Sequence, residues 1–232
     1  MDTEPAVLLL HGLGATGAVW DGLTDRLDSA WLAPDLPGHG GSARLHRYSF
    51  GGLAAAVADQ LPTTGPLVVV GHSLGGVVAL TLASGWFGVE VVGVLAVGVK
   101  VRWSDDDLAR AATVAARPDR VFATRDEAEA AYLKMAGLTG LAAADPAGLA
   151  ESDDGWRLTL DLAAFGVGAP DMVGLLGMAS CPVVLAAGEH DPMSRPADLL
   201  ALRDDAVTLP GLGHNAHVED PAALLPLIYS LR

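Results

Sequence analysis

The pentapeptide Gly71-His72-Ser73-Leu74-Gly75 sets a serine between glycines, after the apolar run Leu67–Val70 and before the apolar stretch Leu74–Ser84. A strand that turns sharply into a helix at such a point leaves the serine hydroxyl exposed, with the N–H of the next residue pointing the same way. In a glycine-rich chain the five-residue pattern alone is weak evidence, and its setting between a strand-like and a helix-like run is what gives it value. A nucleophilic serine needs a base. One candidate segment is Gly188-Glu189-His190-Asp191, which follows the run Val183–Ala187. Another is Gly211–Pro221, which follows Val207–Leu209 and contains His214, His217 and Glu219. A neutral imidazole can take the serine proton, and a buried carboxylate can fix its tautomer and stabilise the imidazolium.

Upstream, Leu8-Leu9-Leu10 leads into His11-Gly12-Leu13-Gly14. A glycine-rich loop after a strand frees backbone N–H groups to face an anion. Acyl transfer needs two such donors where the oxyanion forms, each contributing a few kcal/mol in the transition state. The N–H groups of Leu13 and Leu74 are the candidates. Gly12–Gly17 also has the glycine spacing of a dinucleotide-binding turn, with Asp35 at the distance of a ribose ligand. No Gly-Lys-Ser/Thr lies nearby, so a P-loop is not indicated.

The elements that must position these groups follow from the apolar pattern. Short runs at Val7–Leu10, Trp31–Ala33, Leu67–Val70, Val89–Val97, Val183–Ala187 and Val207–Leu209 alternate with helix-like stretches at Phe50–Leu61, Leu74–Ser84, Pro196–Arg203 and Pro221–Leu231. Strands apolar on both faces and alternating with helices predict a mostly parallel sheet flanked by helices, with chemistry at the strands' carboxyl ends. The alternation fails between about Arg102 and Ala179, where Ser104/Asp107 and Thr124/Glu127 read as capping boxes and Asp171 as a further cap. The expected organisation is an α/β core of residues 1–101 and 180–232 with a helical insertion over 102–179.

Composition narrows the function classes. The 232 residues carry a formal charge of -14, so nucleic acid and anionic membranes are poor partners. Cys181 is the single cysteine, which excludes an internal disulfide and is expected to be inert. The N-terminus shows no basic leader, so a cytoplasmic protein is expected. Leu74–Val99 holds one charge, Glu90, but its glycines and β-branched second half predict a buried helix and strand rather than a membrane span. No metal-ligand spacing appears, and neither metal nor cofactor is expected.

The whole pattern resembles the small lidded α/β-hydrolases, a group that includes esterases, lactonases and C–C hydrolases. The resemblance rests on His11-Gly12, Asp35-Leu36-Pro37-Gly38-His39-Gly40-Gly41-Ser42, Gly71–Gly76, Asp191, and Gly213-His214 with Glu219 and Pro221, in the family's order. It implies Ser73 as nucleophile, His214 as base, Asp191 as acid, Leu13 and Leu74 as oxyanion donors, and residues 102–179 as a lid. It also implies that Asp35 holds a turn, and that His11, His39 and His72 are structural. The chain begins close to the strand before His11, so the leading antiparallel hairpin common in the family is not expected. His217 is the rival base and Glu189 the rival acid. Trp20, Trp103, Tyr132, Trp156 and Phe165 are candidate pocket residues, alongside Phe122, Met135 and Met172, while Lys100 and Arg102 could meet a substrate carboxylate. The expected activity is hydrolysis of a small or medium carboxylic ester or lactone through an acyl-enzyme. C–C hydrolysis, perhydrolysis, or a ligand receptor with little turnover are the alternatives.

Overall fold

The computed structural model describes residues 4–61 and 65–232; Met1–Thr3, part of the stretch read for a leader, lie outside it. Strand β1 (Ala6–Leu10) runs through a 3-10 turn at Gly17–Trp20 and helix α1 (Asp21–Thr24) to β2 (Trp31–Leu32). Helix α2 (Phe50–Gln60), β3 (Leu67–His72), α3 (Leu74–Leu82) and β4 (Val91–Val97) follow. An insertion then contributes α4 (Asp105–Ala115), α5 (Arg125–Ala136), the hairpin β5 (Leu149–Ser152) and β6 (Gly155–Leu158), a 3-10 turn at Leu162–Val167, and α6 (Met172–Met178). The chain re-enters the sheet with β7 (Val183–Gly188), α7 (Pro196–Leu202) and β8 (Val207–Leu209). It closes with α8 (Ala216–Glu219), a 3-10 turn at Pro221–Leu224 and α9 (Leu225–Tyr229).

Strands β2-β1-β3-β4-β7-β8 form one sheet in that order, and every pairing in it is parallel. The order reverses between β1 and β3, and the crevice at such a reversal is where open α/β sheets bind ligands. The two loops that flank this crevice carry His11–Gly14 and Ser73. Side chains alternate between two cores. Leu8, Leu10, Leu67, Val69, Val94 and Ala96 face α2 and α3, while Val7, Leu9, Val68, Val70, Leu95 and Val97 face Trp20, Leu23, Ile228 and Leu231. Burial on both faces is why these strands read as unbroken apolar runs. None of the helices among the described residues is long and apolar enough to cross a membrane.

The insertion departs from the expected all-helical form, because it contains the antiparallel β5–β6 hairpin. Only Leu149 of β5 is buried, so the strand shows no apolar alternation. The turn signal was nonetheless present in Asp154-Gly155, with Gly155 at φ 131°. Ser104 and Asp107 form the expected reciprocal capping box, and Asp171 accepts from the N–H of Gly174. At Thr124 only half of the expected box forms: its side chain accepts from the N–H of Glu127, whose carboxylate turns instead to Ala123 N–H at 3.1 Å. Phe122, Ala128, Tyr132 and Leu149 make a small separate core, whereas Ala164 and Met172 join the main core on the α2/α3 side.

Asp35 holds the connection after β2. Its Oδ1 accepts from Gly17 N–H at 2.8 Å and its Oδ2 from Gly41 N–H at 2.9 Å, which occupies the carboxylate with backbone as a turn-holding residue requires. Replacing it leaves two amides without their acceptor, a loss of roughly 1–3 kcal/mol. Asp35→Ala is therefore expected to lower the urea midpoint at an unchanged denaturant slope, and an unshifted midpoint would show that water replaces both bonds.

Candidate functional site

Ser73 joins β3 to α3 with φ 50° and ψ -113°, and it is the only non-glycine at positive φ among the described residues. A side chain in this region is strained by about 1–3 kcal/mol and persists only where its surroundings enforce it. Here the neighbouring glycines do so. A Cβ on Gly71 would lie 2.2 Å from the Gly75 carbonyl oxygen, and one on Gly75 would lie 2.1 Å from that of Leu10. The turn is thus pressed onto the end of β1.

The loop after β1 abuts the serine directly. A Cβ on Gly12 would stand 2.6 Å from His72 Nδ1 and 3.5 Å from the Ser73 Cβ. His11 fixes this loop, since its Nε2 accepts from Leu36 N–H at 2.8 Å and its Nδ1–H donates to the Gly12 carbonyl at 2.8 Å. Leu13 follows in the same loop. Leu74 opens α3, where a first-turn N–H has no intrahelical acceptor.

Asp191 and His214 arrive from the ends of β7 and β8. The carboxylate of Asp191 is buried, with Oδ1 accepting from the N–H groups of Met193 (2.8 Å) and Ser194 (2.9 Å). Its Oδ2 accepts from His214 Nδ1–H at 2.8 Å, which leaves Nε2 as the free acceptor nitrogen of the imidazole. His72, next to the serine, donates Nε2–H to the His214 carbonyl at 2.9 Å, and the two rings lie 4.7 Å apart. The loops that carry Asp191 and His214 are also joined by a bond from His190 N–H to the Leu212 carbonyl at 2.9 Å.

The rival groups have different surroundings. His217 is 1% exposed, with its ring 4.1 Å from that of His72 and 4.6 Å from that of Trp20. Glu189 is exposed and accepts from Gly211 N–H at 2.9 Å, and His190 is exposed. Lys100 and Arg102 already have partners, Asp107 at 2.9 Å and Asp198 at 2.7 Å.

Among the candidate pocket residues, Trp20 is wholly buried in the core beneath the sheet and lines no open space, a correction to the expectation for it. Tyr132 and Trp156 belong to the insertion's own core. Phe165 and Trp103 are half-buried, with Trp103 Nε1–H donating to the Lys100 carbonyl at 3.0 Å. A cavity of about 410 Å³ lies among Thr16, Val19, Tyr132, Ala143, Asp145 and His217, and none of Ser73, Asp191 or His214 lines it. Sequence reasoning passed over Ser194, whose hydroxyl donates to the Val99 carbonyl at 2.7 Å, and Asn215, whose amide donates to the Gly137 carbonyl at 2.9 Å. The Asp191-x-x-Ser194 spacing of an Asx turn was the available signal for the first.

Residues 7–227 match the Alpha/beta hydrolase family, and the chain belongs to it. Over 85 residues it is 44% identical to the pimeloyl-[acyl-carrier protein] methyl ester esterase of Neisseria meningitidis serogroup A. That stretch covers 36% of this chain and 27% of that enzyme's length. E-2-(acetamidomethylene)succinate hydrolase superposes with TM-score 0.79 at 26% identity, over 99% of this chain and 91% of its own. An esterase from Mycobacterium tuberculosis does so with TM-score 0.72 at 25% identity, over 98% and 84%.

The buried histidines around the crevice are held neutral. Burial, followed by the neighbouring His39, pushes His11 down to about 3. Burial, followed by His214, does the same to His217. Burial also lowers His39 and, with His217 and His214 beside it, His72. In the unfolded chain these groups titrate near 6.5. The stabilisation is therefore complete above about pH 6.5 and is lost as pH falls toward 3, because the unfolded chain takes up protons that the folded one refuses. Each histidine contributes at most about 1.4 kcal/mol per pH unit to this slope. Denaturant midpoints are expected to fall between pH 7 and pH 5, and to fall less steeply in His217→Phe; a flat wild-type profile would contradict the burial argument.

Proposed function

We propose that this protein is a serine hydrolase that cleaves a small or medium carboxylic ester or lactone through an acyl-enzyme. The observation that carries the reading is the 2.8 Å bond between Asp191 and His214, in a loop that His72 ties to the strained turn bearing Ser73. Ser73 Oγ attacks the carbonyl carbon while His214 Nε2 takes its proton, and the oxyanion accepts from the N–H groups of Leu13 and Leu74. The intermediate collapses, His214 gives its proton to the departing alcohol, and Ser73 is left acylated. Water, deprotonated by His214, then attacks the acyl group, releases the acid and restores the serine. Asp191 holds Nδ1–H in place and stabilises the imidazolium without itself being protonated. Residues 102–179 form the lid of this site.

His214 is favoured over His217 on two grounds. His217 has no carboxylate partner among the described residues, and burial makes it a poor proton acceptor at neutral pH. Simple carboxylic esters are the first substrates to try, in keeping with the methyl ester esterase and the esterase that the chain is similar to.

Wild type is expected to turn over p-nitrophenyl esters of short to medium acyl chain, and Ser73→Ala to lose at least roughly a thousandfold in kcat. An alanine variant at full rate, or ligand held without turnover, would overturn the reading. His214→Ala is expected to fall by a similar factor, while His217→Phe stays within a few-fold of wild type. The reverse pattern in steady-state rates would move the base to His217.

A further inference from the structure

We infer that Glu219 is a positioning residue that fixes the backbone on either side of His214, a role that rests on the reading of His214 as the base. Its Oε2 accepts from Gly213 N–H at 2.6 Å and its Oε1 from Asn215 N–H at 3.2 Å. One carboxylate therefore spans the two amides that bracket the imidazole-bearing residue. The His214 carbonyl is held separately by His72 Nε2–H at 2.9 Å. With the ring bonded to Asp191, both the backbone and the side chain of His214 are restrained.

The residue types fit this task. Two N–H donors facing one side chain call for two acceptor oxygens and no donor, which a carboxylate supplies and a carboxamide does not. The turn of α8 brings the group back, since the N–H of Glu219 itself donates to the Asn215 carbonyl at 2.9 Å. Gly213 is its complement, because a Cβ there would stand 2.9 Å from Oε1 and 3.3 Å from Oε2. Glu189 does not duplicate the contact, as it holds Gly211 further out along the loop. Glu219 is exposed, so water can take the freed amides when the carboxylate is removed. What is lost is the placement of the base, and a displacement of about 1 Å in a reacting group costs on the order of a hundredfold in rate.

The test is kcat per active site, with sites counted by a fluorophosphonate that labels Ser73, so that unfolded protein is not scored. Glu219→Ala is expected to lose roughly ten- to a hundredfold in kcat with KM within about threefold of wild type, and Glu219→Gln to lose less. Gly213→Ala is expected to lower kcat in the wild-type background and to add little to Glu219→Ala, the non-additivity of two changes to one contact. The downfield Nδ1 proton of His214 in the NMR spectrum broadens in Glu219→Ala. A Glu219→Ala enzyme with wild-type kcat, or a Gly213→Ala loss undiminished in the double variant, overturns the assignment. Should Glu219→Ala fail to fold, Glu219→Gln carries the test, and a wild-type kcat with a sharp downfield proton refutes it. Activity that survives Ser73→Ala defeats the reading of the site instead, whereas a Ser73-dependent enzyme indifferent to Glu219 defeats only this inference.

Discussion

The close approach of the β3–α3 turn to the end of β1 is the contact on which the rest of the site depends. Gly75 lies against the carbonyls of Leu10 and His11, and Gly71 against Gly75 itself, at separations that no Cβ tolerates. That crowding forces Ser73 to a positive φ and sets its Cβ against the Gly12 loop. The Gly12 loop and the serine are thus neighbours because two backbones meet without side chains between them. His72, carried on the same turn, then reaches the His214 carbonyl and links this pair of strands to the loop after β8.

The sheet was legible because both of its faces are covered. Leu8 and Val7, or Val69 and Val68, serve opposite cores, so every position along these strands is apolar and the runs stand out without any alternation. The loops at their carboxyl ends were legible for the same reason, since each candidate group lies a few residues past the end of such a run. Asp35 shows the limit of local pattern, because Gly12–Gly17 matched a dinucleotide turn equally well by count. What separates the two readings is the carboxylate's engagement with Gly17 and Gly41, which spacing alone cannot display.

The insertion was less legible, and the reasons are physical. Strand β5 is exposed beyond Leu149, so burial imposes no periodicity on it. Trp20 shows that residue type does not distinguish a pocket wall from a core, since a large ring serves either; here it fills the space under the sheet next to His217. The bond from Thr16 to Asp145 joins residues 129 positions apart, and nothing near either one announces the other.

That bond belongs to a set with a thermal consequence. Phe122, Ala128, Tyr132 and Leu149 form an independent core, and polar moorings tie this part of the insertion to the sheet: Thr16 to Asp145 at 2.6 Å, Thr16 to Tyr132 at 3.2 Å, and Asn215 to Gly137 at 2.9 Å. Protein–protein hydrogen bonds exchange against water at a net worth of only about 1 kcal/mol each. A body with its own core and such moorings behaves as a separate cooperative unit, opening at a lower free energy than the sheet beneath it. The neighbouring turn at Leu162–Val167 and α6, whose Ala164 and Met172 lie in the main core, stay with the sheet. On warming, the amides of α5 and of the hairpin should exchange their hydrogens well before those of β3 and β4, while the frame that carries Ser73 remains intact.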